Sequence, residues 1–138
     1  VRHHRHDDNG APAQTRIELL LDDESPHERI FGLRIQSAQS VLRIAGVGMG
    51  DPLAKVAQAN AAPFTFWGFG WDYGGYVNDL KNGELTKLPG NCELSLRFDL
   101  AGVQDAPNSL YGDTEKQSDD PAFAKAKAVV GELTLNWR

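Results

Sequence analysis

The chain has 138 residues, of which 41% are hydrophobic and 24% charged, the composition of a soluble globular domain with a core of its own. Its formal net charge is −5, and no cluster of lysines and arginines is present. This argues against a nucleic-acid partner, since binding to a phosphate backbone depends on clustered positive charge. No apolar run approaches the roughly 20 residues that a membrane-spanning helix needs, so we expect no membrane span.

The first 14 residues are polar and lack periodicity, which indicates a disordered lead-in to a single domain over residues 15–138. Five potential metal ligands fall in this lead-in: His3, His4, His6, Asp7 and Asp8. They could chelate Cu(II) or Ni(II), but nothing nearby fixes their geometry, so we favour a solvated tail. We therefore predict neither a metal site nor a cofactor.

Short strands dominate the first part of the domain. Ile17, Leu19 and Leu21 alternate with polar residues, and further apolar runs follow at residues 30–35 and 41–44. Alternation of this kind is typical of half-buried strands. The pattern therefore predicts three strands before the first helix.

A glycine cluster, Gly46, Gly48 and Gly50, precedes that helix, where a dinucleotide-binding fingerprint would stand. The spacing departs from the fingerprint, because the position three after Gly48 is Asp51, a carboxylate that would face the pyrophosphate. We instead predict that Asp51 is the N-cap and Pro52 the first residue of a short helix. The core-facing side chains of this helix should be Leu53, Val56 and Ala57.

The stretch from Pro63 to Val77 holds most of the aromatic side chains, interleaved with four glycines. Continued as one strand, it would place Trp67, Phe69 and Trp71 on one face and the preceding phenylalanines on the other. Glycines inside a strand pattern mark a bend, a bulge or a close backbone approach. Because large rings serve cores and interfaces equally well, the pattern leaves both uses open.

The second half of the chain predicts a meander. Asn82-Gly83 is a strong type I′ turn signal between two strands, and residues 92–100 alternate so regularly that Cys92, the only cysteine, should point inward. Residues 101–120 are loop-like. A last strand, from Gly131 to Trp137, closes the chain and should place Leu133, Leu135 and Trp137 on its inward face. The predicted fold class is α+β: an antiparallel β-meander sheet packed against one or two short helices, with extra N-terminal strands.

The run from Gly48 to Phe64, followed by a Trp- and Tyr-rich strand and a meander, resembles the helix-then-sheet unit of SmpA/OmlA-type outer-membrane assembly lipoproteins and of β-lactamase inhibitory proteins. The string from Gly68 to Gly75 is similar to a family of small exported bacterial proteins with a domain of unknown function. The resemblance covers residues 46–99. Those inhibitors carry two such units and disulfides, whereas this chain has one unit and a single cysteine.

The resemblance implies an extracytoplasmic location, periplasmic or secreted, and a binding role rather than catalysis. A chain that begins with Val1 instead of Met agrees with removal of an export signal, although an arbitrary boundary explains it equally well. No lipid-attachment cysteine stands at the start, so the residues do not support a membrane anchor.

The predicted binding surface consists of five residues of the aromatic stretch: Trp67, Trp71, Asp72, Tyr73 and Tyr76. Exposed Trp and Tyr side chains are enriched at recognition hot spots. We therefore predict a noncatalytic interaction domain for a protein, peptide or glycan of the cell envelope, and inhibition of a secreted enzyme would differ only in the partner. The competing interpretation is that these rings fill the core.

An alternative hypothesis is a cell-envelope hydrolase in which Asp72 acts as general acid or base. Two-carboxylate chemistry would require a second acid, such as Asp79 or Glu84, to converge on Asp72 in a cleft. We favour a structural role for Asp72, which can accept backbone N–H bonds in a glycine-rich turn.

Overall fold

A computed structural model describes residues 2–4, 17–22, 29–100, 108–124 and 126–137. These residues form ten β-strands, one α-helix and several 3-10 turns, and all pairings between their strands are antiparallel. The predicted α+β fold class is thereby confirmed.

Most of the strands are short, and the helix lies in the middle of their succession along the chain. The strands are β1 (Arg2–His4), β2 (Glu18–Asp22), β3 (Arg29–Ile35), β4 (Arg43–Ile44), β5 (Val47–Gly48), β6 (Thr65–Trp67), β7 (Val77–Asp79), β8 (Glu93–Leu100), β9 (Glu115–Gln117) and β10 (Ala128–Asn136), and the helix, α1 (Leu53–Asn60), lies between β5 and β6. Strands β2 and β3 confirm the predicted N-terminal strands.

The strands form a five-stranded sheet in the order β1-β2-β3-β10-β8, a three-stranded sheet in the order β7-β6-β9, and a β4-β5 hairpin. An antiparallel bridge between Tyr76 and Arg97 joins the edge of β8 to the residue before β7. Beside it, the Phe98 N–H donates to the Gly75 carbonyl at 2.8 Å. The two larger sheets therefore continue into one another.

The hydrophobic core lies on one face of these two connected sheets. The alternation of β8 buries Leu94, Leu96 and Phe98, as the period of two predicts. Helix α1 adds Leu53 and Val56 to the same cluster. The apolar positions read from the sequence in β8 and α1 therefore do meet in one core.

Asp51 does not cap α1 as predicted. The N-cap residue is Pro52, and no side-chain hydrogen bond caps the helix. The Asp51 carboxylate instead accepts hydrogen bonds from the Gly48 N–H at 2.8 Å and from Arg43 Nη2 at 2.7 Å. Burial by itself would raise the pKa of Asp51, but the Gly48 N–H and the Arg43 guanidinium outweigh it and hold the pKa below its usual value. Asp51 thus fastens the β4-β5 hairpin to the start of α1.

The predicted type I′ turn is present but lies one residue earlier. Lys81 and Asn82 have φ angles of 55° and 58°, and the Gly83 N–H donates to the Leu80 carbonyl at 3.0 Å. The chain then enters a 3-10 turn instead of a returning strand. Gly83 is required for a different reason, because a Cβ at this position would overlap the side chain of the buried Asn60.

Two further predictions are wrong. Residues 115–117 lie in the predicted loop but form β9, whose Glu-Lys-Gln sequence carries no strand signal and is extended because it pairs with β6. Cys92 precedes β8 and is partly exposed rather than inward.

Most of the predicted lead-in, including His6, Asp7 and Asp8, lies outside the described residues. Within it, Arg2–His4 is described as β1 and pairs with β2, with Arg2 opposite Leu21.

Candidate functional site

The aromatic stretch is divided between the core and the surface. Phe64, Phe66 and Phe69 are buried. The rings of Phe64 and Phe98 stack with centroids 5.9 Å apart, and those of Phe66 and Phe69 lie 5.8 Å apart. The prediction of one continuous two-faced strand is wrong, because β6 ends at Trp67 and Phe69 joins Phe66 in the core. The core interpretation therefore holds for these three phenylalanines, and the interface interpretation stays a prediction for the remaining rings.

Three of the other large rings form a group that we call the aromatic ridge: Trp67, Trp71 and Tyr73. The rings of Trp67 and Trp71 meet edge to face, with centroids 6.1 Å apart and planes at 78°. Trp71 and Tyr73 repeat this contact at 5.5 Å and 75°. Trp71 is 36% exposed and Tyr73 62% exposed, while Trp67 is half-buried. Large exposed rings in mutual contact are typical of interaction sites.

Hydrogen bonds fix the turn that carries the ridge. The Gly74 N–H donates to the Trp71 carbonyl at 2.9 Å, and the Gly75 N–H donates to the Trp67 carbonyl at 2.8 Å. The indole Nε1 of Trp71 donates to the Gly68 carbonyl at 2.8 Å. The polar edge of this ring is therefore satisfied within the chain.

A neighbouring segment holds the same turn from the other side. The Phe69 N–H donates to the Leu110 carbonyl and the Gly112 N–H donates to the Phe69 carbonyl, both at 2.9 Å. Glycine is required where the backbones meet: a Cβ at Gly68 would overlap the Gly112 carbonyl, and a Cβ at Gly75, whose φ is 85°, would overlap a carbonyl of β8. The ridge is therefore held in place before any partner arrives.

Asp72 lies in this turn between Trp71 and Tyr73. Its side chain is exposed, and within the described residues it forms no hydrogen bond or ion pair, so the predicted acceptance of backbone N–H bonds by Asp72 is wrong. The two carboxylates considered as catalytic partners are engaged elsewhere, Asp79 with Lys81 at 3.5 Å and Glu84 with Lys87 at 3.1 Å. The geometry thus gives Asp72 no bonded acid partner in the part of the chain that is described.

Tyr76 belongs to a separate group, the polar cluster, which consists of Tyr76, Glu132, Gln36 and Arg97. The Tyr76 hydroxyl donates to Glu132 Oε1 at 3.3 Å, and the same oxygen accepts Gln36 Nε2 at 2.9 Å. The Arg97 guanidinium lies over the Tyr76 ring, 5.5 Å from its centroid. Burial first, and then the charge of Glu132, raise the pKa of Tyr76. Of the five predicted residues, four share the turn and Tyr76 does not.

Glu132 is the chemically distinctive residue that sequence reasoning missed. The alternation of the last strand points Leu133 inward, as the structure confirms, and would leave Glu132 in solvent. Glu132 is nevertheless only 7% exposed. A register shift after Val130 sets it opposite Arg97, and its hydrogen-bond partners come from distant segments. No local pattern indicates such a site.

Two open cavities lie away from the ridge. One, of about 410 Å³, separates β7 from β8, and the other, of about 790 Å³, lies between the starts of α1 and β10. Among the described residues, no group of three or more His, Cys, Asp or Glu is arranged to hold a metal ion. No helix in the described ranges has the length and apolar character needed to cross a membrane.

The chain matches no protein-family model, no curated protein and no solved structure. The resemblance to SmpA/OmlA-type lipoproteins and β-lactamase inhibitory proteins therefore stays a prediction.

Proposed function

We propose that this chain is a noncatalytic interaction domain that binds its partner through the aromatic ridge. The observation that carries the proposal is the exposure of Trp71 and Tyr73 on a turn held by hydrogen bonds on both sides. A surface ordered in advance loses little conformational entropy on binding. Trp and Tyr side chains also supply large contact areas with only two rotatable torsions each.

The ring geometry favours a protein or peptide partner over a glycan. A chain of sugars stacks best on neighbouring ring faces that lie in one plane. Here the planes of Trp67 and Trp71 meet at 78°, and those of Trp71 and Tyr73 at 75°. Perpendicular rings instead leave a corner between two ring faces, which suits a single side chain of a protein or peptide.

The proposed setting is extracytoplasmic, as the resemblance to exported proteins implies. Inhibition of a secreted enzyme remains one form of the same proposal, since it would use the same ridge. No observation favours the hydrolase hypothesis, because Asp72 is exposed and bonded to no second carboxylate in the described residues. We therefore do not propose it.

The proposal is tested by capture of partners from cell-envelope and secreted protein fractions on the immobilised domain. The variants are Tyr73→Ser and, as a matched control, Val41→Ser. Val41 is 72% exposed and lies outside the ridge, so its replacement also removes an exposed apolar group. We expect proteins retained by wild type and Val41→Ser to be lost with Tyr73→Ser, while circular dichroism shows that all three are folded. Equal retention by Tyr73→Ser would contradict the proposal.

A further inference from the structure

Unpaired negative charge flanks the aromatic ridge. Asp72 lies within the ridge turn, and Asp113 follows Gly112, whose N–H donates to the Phe69 carbonyl of that turn. Both carboxylates are exposed, and neither takes part in a hydrogen bond or ion pair within the described residues. The Lys116 side-chain stem lies close to Gly68 of the same turn, and no ion pair within the described residues joins Lys116 to Asp72 or Asp113. The local balance is negative.

The ridge rings add to this preference for positive charge. The face of an aromatic ring is electrostatically negative, and a Lys or Arg cation within about 6 Å of the ring centroid is attracted to it. The Trp71 and Tyr73 planes meet at 75° with their centroids 5.5 Å apart, which forms a corner bounded by two ring faces. Because the Trp71 indole N–H is bonded within the chain, a ligand would contact this residue through its π system rather than through a free hydrogen-bond donor.

At the polar cluster, an aromatic ring, a carboxylate and a cation already lie together. There the Arg97 guanidinium lies over the Tyr76 ring at 5.5 Å, and its Nε is 3.4 Å from Asp99 Oδ1. A ring face, a carboxylate and a guanidinium thus already associate on this fold. The ridge has the rings and the carboxylate, and within the described residues Asp72 has no cation paired with it.

We infer that the aromatic ridge recognises an arginine side chain presented by a partner protein, with Trp71 and Tyr73 supplying the ring faces and Asp72 the carboxylate. Arginine suits this site better than lysine, because its planar guanidinium stacks on a ring while it donates to a carboxylate. The inference rests on the proposed function, since it names the chemical class that the same ridge binds.

The test is a titration with three capped peptides of equal length, in which glycine alternates with arginine, with citrulline or with glutamate. Citrulline keeps the shape of arginine but carries no charge. The signals followed are the Trp71 indole N–H and the backbone amides of residues 71–75 in ¹⁵N-resolved NMR spectra. We expect the arginine peptide to bind at least about fivefold more tightly than the citrulline peptide, and the glutamate peptide to leave these signals unchanged.

Two carboxylate variants separate the site from the overall charge of the domain. Asp72→Asn should weaken binding of the arginine peptide by about threefold or more. Asp119→Asn removes an exposed carboxylate beyond the opposite end of β9 and should leave binding unchanged. Equal weakening by both variants would overturn the inference, because the attraction would then be to net charge.

Other outcomes overturn the inference while leaving the proposed function standing. One is equal binding of the arginine and citrulline peptides that Tyr73→Ser abolishes, which would mean that the ridge binds without recognising a cation. Another is the absence of any perturbation of the ridge signals by the arginine peptide. Failure of the proposed function shows separately, as unchanged partner capture by Tyr73→Ser.

Discussion

The polar cluster and the aromatic ridge both combine aromatic and charged side chains, but they differ in whether the charged side chains are paired within the chain. In the cluster, Tyr76 lies between the Arg97 guanidinium and the buried Glu132 carboxylate. In the ridge, the ring contacts of Trp71 and Tyr73 are with other rings, and Asp72 has no bonded partner among the described residues. The side chains of the polar cluster are therefore paired with one another, whereas the ridge keeps exposed rings and an unpaired carboxylate within the described residues.

The difference follows from where each group lies. Glu132 and Arg97 are directly opposite each other on paired strands, so their side chains share one face of the sheet. The ridge instead lies on a turn whose backbone hydrogen bonds are made to its own residues and to a neighbouring loop. The paired strands bring Glu132 and Arg97 together, whereas the turn leaves Trp71 and Tyr73 at the surface. We therefore expect the cluster to contribute to stability, and we propose the ridge as the recognition surface.

The largest expected effect comes from removing the centre of the polar cluster. Glu132→Ala should lower the free energy of unfolding by about 3 kcal/mol, because it removes the charged acceptor to which both Gln36 Nε2 and the Tyr76 hydroxyl donate. Glu93→Ala, at an exposed position of the neighbouring strand, serves as the control and should change it by less than about 0.5 kcal/mol. Urea unfolding measures both, and equal values for the two variants would refute the role given to Glu132.

A second prediction concerns the support of the ridge. Gly75→Ala should destabilise the domain by about 2 to 3 kcal/mol, since its φ is 85° and its Cβ would overlap a β8 carbonyl. Gly50→Ala is the matched control, because Gly50 has a φ of 84° with no atom within 4 Å of its Cβ position. Gly50→Ala should lower the free energy of unfolding by about 1 kcal/mol. Urea unfolding gives the loss of stability in each variant, and the larger loss in Gly75→Ala reports the close backbone approach beneath the ridge. Equal losses in the two variants would contradict that approach.

A smaller effect depends on pH. Tyr76→Phe should lower the free energy of unfolding by about 1 kcal/mol at pH 7, through loss of the hydrogen bond to Glu132. The pKa of Tyr76 is raised in the folded state, so above about pH 10 the unfolded chain loses this proton first. The stability contributed by Tyr76 is therefore complete below about pH 10 and falls as the pH rises further.

The measurement is the difference in unfolding free energy between wild type and Tyr76→Phe across the alkaline range. The difference should shrink above about pH 10. A constant difference up to about pH 11 would show that Tyr76 titrates alike in both states.

The regular parts of the fold follow from local pattern. The alternation in β8 and the apolar spacing of α1 correctly predict the burial of Leu96 and Val56, because strand and helix periods fix the directions of these side chains. The burial of Asn60 at the end of α1 is not predicted by this spacing. Local pattern places the type I′ turn only to within one residue. Its position depends on Asn60, which lies against Gly83 and is distant in sequence.

The site is only partly predictable for the same reason. Composition marks the aromatic stretch, but it does not indicate that Phe69 is buried and Trp71 exposed, since Phe69 is held by backbone hydrogen bonds to the distant segment at Leu110 and Gly112. Strand β9 forms through its pairing with β6, and the burial of Glu132 depends on Tyr76 and Gln36. Long-range pairing decides such features, and a single sequence carries no local signal for it.

The central claim is that the ridge recognises a partner without stabilising the fold. It is tested most directly by measuring urea unfolding and partner capture on the same Tyr73→Ser protein. We predict a free energy of unfolding within about 0.5 kcal/mol of wild type, together with loss of capture. A destabilisation of about 2 kcal/mol or more, or capture equal to that of wild type, would contradict the claim.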